Sequence, residues 1–192
     1  MIYPDTVIAN ISELVTCSGE KPKTKKAMQE AGLIEKAWIA ASNGQIVFVG
    51  QERDFQANVS LSEKARIIDA TGLIGLPGLV DCHTHLPFAG DRAREFSLRI
   101  AGYTYEQLAE RGLGIQTTVK ATRAISAEDL ETICMKRLET MLLNGATTIE
   151  AKSGYGLNRD DELKQLRVLR SLATRQPVSI VPTFMGAHEI AP

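Results

Sequence analysis

The sequence predicts an α/β protein in two parts. A small all-β sandwich domain covers residues 1–76, and the first β/α units of a (β/α)8 TIM-like barrel cover residues 77–192. Short apolar runs separated by turn residues fill the first part, as in all-β domains. After Pro77, strands alternate with helix-length amphipathic segments, which indicates a parallel sheet. A complete barrel needs about 250 residues, so the chain is expected to be a fragment or a truncated gene product.

The first part is built from short strands. The apolar-rich residues 2–16 predict one or two strands, and the lysine-rich residues 19–36 predict a solvated loop with a short helix. A hairpin follows, with strands at 38–41 and 46–50, because Asn43-Gly44 accepts the positive φ angles of a type I′ turn. A further strand is predicted at 66–69.

The second part alternates between strands and helices. Ser126 is a good helix N-cap, and Asn144-Gly145 is a typical helix end. Four leucines at helical spacing in the next helix are expected to be buried: Leu163, Leu166, Leu169 and Leu172. The predicted elements are a strand ending at 81–85, helices within 96–109, 127–143 and 160–174, and strands at 146–151 and 178–185. Residues 116–123 receive no assignment.

Composition and charge exclude several classes of function. The net charge of −1 gives no basic field for nucleic acid, and no apolar run reaches the length of a membrane span. The N-terminus lacks the pattern of a secretory signal. The three cysteines, Cys17, Cys82 and Cys134, are widely spaced, which fits a reducing cytoplasm. A cytoplasmic protein without nucleic-acid or membrane partners is therefore expected.

The strongest chemical signal is a pair of histidines at the end of the strand after Pro77. His83 and His85 are two of the three histidines in the chain. Because side chains alternate along a strand, both project from one face, with Cα atoms roughly 6–7 Å apart. Two such imidazoles can bind one metal ion. Their position at the carboxyl end of an apolar, non-alternating strand, where α/β folds place ligands, favours this interpretation over two surface histidines. Asp81 and Thr84 are candidates to fix a histidine tautomer.

Several blocks of sequence resemble the amidohydrolase superfamily and, within it, the imidazolonepropionase family. The segment Pro77-Gly-Leu-Val-Asp-Cys-His-Thr-His85 is similar to the first barrel strand of the superfamily. The blocks that point to the narrower family are Phe88–Arg92, Arg94–Phe96, Gly102–Tyr105, Thr122-Arg123, Glu150–Leu157 and Gly186–His188. Leu113 departs from a run of glycines in the family and leaves only the local loop conformation open.

The resemblance implies roles for individual residues. His83 and His85 match two metal ligands, with Zn²⁺ or Fe³⁺ as the ion. Arg92, Tyr155 and His188 match positions that hold the substrate, and Tyr105 matches a tyrosine near the substrate carboxylate. An arginine fork suits a carboxylate. The alternatives are a surface Arg92 paired with Asp91 or Glu95, half-buried tyrosines, and a core histidine at 188. Glu150 and Lys152 are interpreted as a structural ion pair without a catalytic role.

The implied activity is that of a metal-dependent hydrolase acting on a carbon–nitrogen bond of a cyclic amide. In histidine degradation, such a protein opens the ring of 4-imidazolone-5-propanoate with water to give N-formimidoyl-L-glutamate. The water-activating groups and further metal ligands are expected beyond residue 192, so the 192 residues alone are predicted to be inactive. A homodimer of the full-length protein is compatible with the resemblance. Two alternatives remain, namely another cyclic amidase or deaminase of the superfamily and a non-catalytic fragment.

Overall fold

The structure is a computed structural model that describes residues 1–190, except for the side chain of Ala109. The chain divides into two compact units, Met1–Pro77 and a second unit that begins at Gly78. Residues 191 and 192, the last two of the predicted second domain, lie outside the described residues. Among residues 1–190, no helix combines the length and the apolar character that a membrane crossing requires.

The first unit contains one five-stranded sheet in the order β3-β2-β1-β4, with β5 also paired to β1. Strand β1 is antiparallel to β2 and parallel to β4 and β5. The strands are β1 (Thr6–Val15), β2 (Leu33–Ser42), β3 (Gln45–Gln51), β4 (Arg66–Asp69) and β5 (Ile74–Gly75), with a 3₁₀ helix at Lys25–Gln29. The hairpin is confirmed, since Asn43 and Gly44 have φ angles of 51° and 77°.

Helix α1 (Glu52–Asn58) corrects the all-β expectation for the first unit. Its sequence is polar, and Phe55 is its single buried residue. The sequence therefore contains no helical stripe of apolar residues from which this helix could be predicted. The ring of Phe55 lies 4.7 Å from that of Trp38 and 5.6 Å from that of Phe48. The helix therefore forms because one aromatic side chain anchors it to the sheet.

The second unit contains a parallel three-stranded sheet in the order β6-β7-β8. Its strands are β6 (Leu79–Thr84), β7 (Ala146–Lys152) and β8 (Ser179–Thr183). Its helices are α2 (Ala93–Ile100), α3 (Tyr105–Glu110), α4 (Ile115–Ala124), α5 (Ala127–Leu143) and α6 (Arg159–Leu172). A core of fully buried side chains from α5, β7 and α6 includes Leu130, Leu138, Ile149 and Leu169. The α/β alternation predicted after Pro77 is thus confirmed.

The helix boundaries in the second unit follow local chemistry. The Ser126 hydroxyl accepts a hydrogen bond from the Asp129 N–H, which confirms the predicted N-cap of α5. Gly145 has a φ of 91° directly after the C-cap Asn144, as the Asn-Gly pair predicts. The predicted helix within 96–109 is instead two helices, α2 and α3, separated at 101–104. Helix α4 occupies the unassigned segment.

Two burial predictions in the second unit are wrong. Leu163 and Leu166 are only partly buried, whereas the polar Glu162 and Gln165 are buried on the same helix. Strand β6 was expected to be buried, but Leu79 and Val80 are 54% and 66% exposed. The reason is that the described residues pack against neither face of β6 at these two positions, and the strand has only one neighbour in the sheet, β7.

Candidate metal and substrate site

The histidine pair lies at the carboxyl end of β6. The ring centroids of His83 and His85 are 5.7 Å apart, and His83 is exposed while His85 is half-buried. A zinc–nitrogen bond is about 2 Å long, so two imidazoles bound to one ion have ring centres roughly 5–6 Å apart. The observed separation is therefore compatible with a shared metal ion.

The carboxyl ends of the other two strands contribute two more rings to the same place. His188 follows β8, and its ring stacks on that of His85 with centroids 4.6 Å apart and an interplanar angle of 20°. Tyr155 follows β7, and its ring centroid lies 5.1 Å from His85 and 5.3 Å from His188. Because the strands are parallel, side chains far apart in sequence meet at one edge of the sheet.

His85 is partly prepared for a metal ion. Its Nδ1 atom is buried and has no hydrogen-bond partner among the described residues. Burial lowers the pKa of His85, and the nearby His188 lowers it further. Both effects favour the neutral imidazole, which is the form that binds metals.

The described residues fit only part of a metal site. No group of three or more histidine, cysteine, aspartate or glutamate side chains is arranged around a common point within residues 1–190. Protein zinc sites usually have three or four protein ligands. His83 and His85 could therefore supply two ligands, and residues 1–190 bring no third histidine, cysteine, aspartate or glutamate to the same point.

The two residues expected to fix a histidine tautomer have other partners. Asp81 Oδ1 accepts a hydrogen bond from the backbone N–H of His83 at 3.2 Å. The Thr84 hydroxyl donates to the backbone carbonyl of Glu150 at 2.8 Å. These contacts order the end of β6 and tie it to β7, and neither involves an imidazole nitrogen.

Arg92 lies beside this group of rings. It is half-buried, its Nε donates to the Thr118 hydroxyl at 3.0 Å, and its Cζ lies 5.9 Å from the ring centroid of Tyr155. Arg92, Thr118, Tyr155 and Phe88 line a cleft of about 380 Å³.

The surface ion pair of Arg92 with Asp91 or Glu95, considered as an alternative, is absent from residues 1–190. Asp91 instead accepts a hydrogen bond from the Ala93 N–H, and Glu95 accepts one from the Thr117 hydroxyl.

Tyr105 is not brought to the cluster. It begins α3, its side chain is 62% exposed, and its hydroxyl lies near Gly114. No aromatic contact links it to Tyr155 or to the histidines in the described chain. Its place near a substrate carboxylate stays a prediction.

Sequence reasoning missed the residues that hold the loop after β7. Residues 153–158, the β7–α6 loop, contain Tyr155. The buried Glu162 accepts hydrogen bonds from three backbone N–H groups of this loop. Arg123 donates to two of its carbonyls. A glutamate in the first turn of α6 was the available signal for this contact. The regular spacing of the leucines led instead to the prediction that the leucine face of α6 is the buried one.

Glu150 and Lys152 form the ion pair expected at the end of β7. Glu150 also accepts a hydrogen bond from the Thr183 hydroxyl at 2.8 Å, which links β7 to β8. The hydrogen bond from Lys152 lowers the pKa of Glu150, and the bond from Thr183 lowers it further. The pair therefore stabilises the sheet end only while the carboxylate is charged.

Replacing Glu150 with glutamine is expected to lower the free energy of unfolding in a pH-dependent way. Since the folded-state pKa lies below the unfolded one, the contribution is fully present above the ordinary glutamate pKa of about 4.3. It is lost as the pH falls through the folded-state value. Urea denaturation of wild type and Glu150→Gln should therefore differ at pH 7 and converge in acid. The exposed Glu139→Gln is the control, and an equal difference at both pH values would contradict the assignment.

Comparisons with known proteins point in one direction. A scan of family models found no match. Two curated relatives are the "Imidazolonepropionase" of Symbiobacterium thermophilum, 50% identical over 98% of this chain and 44% of the relative, and that of Porphyromonas gingivalis (strain ATCC 33277), 47% identical over 96% and 44%.

Similar solved structures support the fold. A triazine hydrolase from Arthobacter aurescens matches with a TM-score of 0.58 at 17% identity, covering 93% of this chain and 35% of that one. The atrazine chlorohydrolase TrzN from Arthrobacter aurescens TC1, complexed with zinc, matches with a TM-score of 0.55 at 16% identity over the same shares. At such identities the likeness concerns the α/β fold alone.

The curated relatives resemble this chain in sequence as well as in length of match. The chain spans about 44% of the length of the curated relatives that it matches, and it is similar to them over nearly all of its own length. The chain is thus similar in sequence to a part of these imidazolonepropionases.

Proposed function

We propose that this chain supplies two metal ligands and part of the substrate cleft of a hydrolase that opens the ring of 4-imidazolone-5-propanoate. The product is N-formimidoyl-L-glutamate. The observation that carries the proposal is the meeting of His83, His85, Tyr155 and His188 at one edge of the sheet, with Arg92 alongside. The similarity to imidazolonepropionases supports the choice of substrate.

The same proposal includes the architecture of the complete protein. Strands β6, β7 and β8 are the first three strands of a (β/α)8 barrel, and the first unit is part of a β-sandwich domain. The placement of the candidate site at the carboxyl ends of the strands supports the barrel, because barrels bind their substrates there. A cytoplasmic location and a homodimer of the full-length protein remain predictions.

His83 and His85 hold one Zn²⁺ or Fe³⁺ ion in this proposal, together with ligands from outside residues 1–190. Such an ion lowers the pKa of water, so that hydroxide is available near neutral pH. No described residue is assigned to the activation of that water. Glu150 and Lys152 keep their structural role.

The residues of this chain bind and orient the substrate. The guanidinium of Arg92 binds the propionate carboxylate through two parallel hydrogen bonds, with Tyr105 near the same group. The ring and hydroxyl of Tyr155 contact the imidazolone ring. Phe88, whose ring lies 5.8 Å from that of Tyr155, makes this side of the cleft apolar and helps to exclude water.

The tautomer of His188 follows from its hydrogen bond. Its Nδ1 lies 3.0 Å from the carbonyl oxygen of Gly154. A carbonyl can only accept, so Nδ1 carries the proton, and in the neutral ring Nε2 is an acceptor. His188 is therefore suited to accept a hydrogen bond from an N–H of the substrate ring.

The test is turnover by the full-length protein. Incubation with 4-imidazolone-5-propanoate should give N-formimidoyl-L-glutamate, identified by mass spectrometry. The 192-residue chain alone, assayed in parallel with added zinc or iron, should give no product, because the described residues contain only part of a metal site. Absence of product from the metal-loaded full-length protein would refute the proposed substrate.

A further inference from the structure

The β7–α6 loop controls two of the proposed substrate contacts at once. Tyr155 lies within it, and the carbonyl of Gly154 accepts the hydrogen bond that orients His188. Gly154 and Leu157 have φ angles of 116° and 51°, in the left-handed region. A leucine rarely adopts this conformation unless its surroundings hold it there. The loop therefore needs contacts from outside itself.

Glu162 supplies these contacts on the N–H side of the loop. It is 2% exposed. Its Oε2 accepts from the N–H of Gly154 at 2.9 Å, and its Oε1 accepts from Gly156 at 2.8 Å and Leu157 at 2.9 Å. A carboxylate has two oxygens that only accept, so a single side chain satisfies three converging N–H groups. A neutral amide could not do so, because its NH₂ group would face a donor.

Arg123 supplies contacts on the carbonyl side of the same loop. Its Nε donates to the Gly156 carbonyl at 2.7 Å, and its Nη2 donates to that of Leu157 at 3.3 Å. It reaches the loop from α4, whereas Glu162 reaches it from α6. The loop is thus held between two helices by side chains of opposite charge.

Close packing couples the loop backbone to His188. A Cβ atom at Gly154 would lie only 2.8 Å from the Cβ of His188 and 3.0 Å from its Nδ1. The backbone and the imidazole are therefore in close contact as well as hydrogen-bonded. A small shift of Gly154 would move or rotate the ring.

We propose that Glu162 is a positioning residue, which fixes the β7–α6 loop so that Tyr155 and His188 are arranged for substrate binding. Arg123 assists from the opposite side. This inference rests on the proposed function, since it concerns the same cleft. The proposed role of Glu162 differs from a purely structural one in its consequence. Loss of Glu162 weakens substrate binding through Tyr155 and His188, while the fold and the metal ligands are retained.

The experiment compares Glu162→Gln with wild type in the full-length protein. Hydrogen exchange of a peptide covering residues 153–158 reports on the loop without reference to activity. We expect faster exchange, a KM raised about tenfold or more, a smaller change in kcat and unchanged metal content. Glu139→Gln, the same replacement on the exposed side of α5, should match wild type in all four measurements. Arg123→Lys, which keeps the charge but loses the fork, is a second variant in case Glu162→Gln fails to fold.

A double-mutant cycle separates positioning from general destabilisation. If Glu162 acts through the two rings, its effect on KM shrinks when Tyr155→Phe or His188→Asn is already present. Three results would each overturn the proposal. The first is an effect of Glu162→Gln on KM that is undiminished in both backgrounds. The others are unchanged hydrogen exchange in folded Glu162→Gln and Arg123→Lys, and faster exchange with an unchanged KM. If the wild-type protein does not turn over the substrate, the proposed function is refuted, and the positioning role is refuted with it. The hydrogen-exchange data then still report whether Glu162 orders the loop.

Discussion

Replacing His85 with alanine is expected to remove both the bound metal and the activity of the full-length protein. His85 has a buried ring nitrogen that finds no hydrogen-bond partner within residues 1–190, and it lies beside His83 at a separation that suits a shared ion. Loss of one of the few ligands should reduce metal content from about one ion per chain to a small fraction of that, and turnover should fall at least about a thousandfold. Elemental analysis after dialysis and a turnover assay measure the two effects.

His188→Ala is the matched control, because it removes the ring that stacks on His85 but is assigned to the substrate. It should keep the metal and raise KM. If His85→Ala retains a full complement of metal, or if His188→Ala loses it, the assignment of ligands is wrong.

Replacing Arg92 with methionine is expected to raise KM for a carboxylate-bearing substrate steeply. A hydrogen bond to a charged group is worth about 1.5–3 kcal/mol, which corresponds to roughly a ten- to hundredfold increase in KM. Methionine cannot make the hydrogen bond to Thr118. It keeps much of the apolar stem of arginine, so the wall of the cleft is largely preserved. Steady-state kinetics with 4-imidazolone-5-propanoate measure the change.

Two further variants sharpen this prediction. Arg92→Lys keeps a positive charge without the planar fork and should give an intermediate KM. Arg99→Met removes an exposed arginine from α2, the helix that begins directly after Arg92, and should leave KM unchanged. A KM that does not respond to Arg92→Met would favour a different ring substrate, one without a carboxylate.

The sequence predicted much of the fold because its local signals are strong. The Asn43-Gly44 turn, the Ser126 cap and the Gly145 helix end each depend on neighbouring residues only. Helix α1 escaped prediction because one aromatic residue holds it in place. Burial of β6 was overestimated because an apolar, non-alternating run indicates two covered faces, and the described residues cover neither of them.

The candidate site was predictable only where its chemistry is local. His83 and His85 stand out because they share one strand. Tyr155 and His188 were assigned to the site only through the family resemblance, because their approach to His85 depends on parallel strands that end at one edge of the sheet. The role of Glu162 depends on backbone N–H groups of another segment, which leave no trace in residue spacing. The exposure of Tyr105 likewise depends on where α3 begins and ends.

The most direct test of the central claim is the location of the metal in crystals of the full-length protein. Diffraction data collected at the zinc and iron absorption edges should show one anomalous peak within bonding distance, about 2 Å, of a nitrogen of His83 and a nitrogen of His85. The claim is contradicted if the peak lies elsewhere, or if the two rings point away from each other with no shared ion between them.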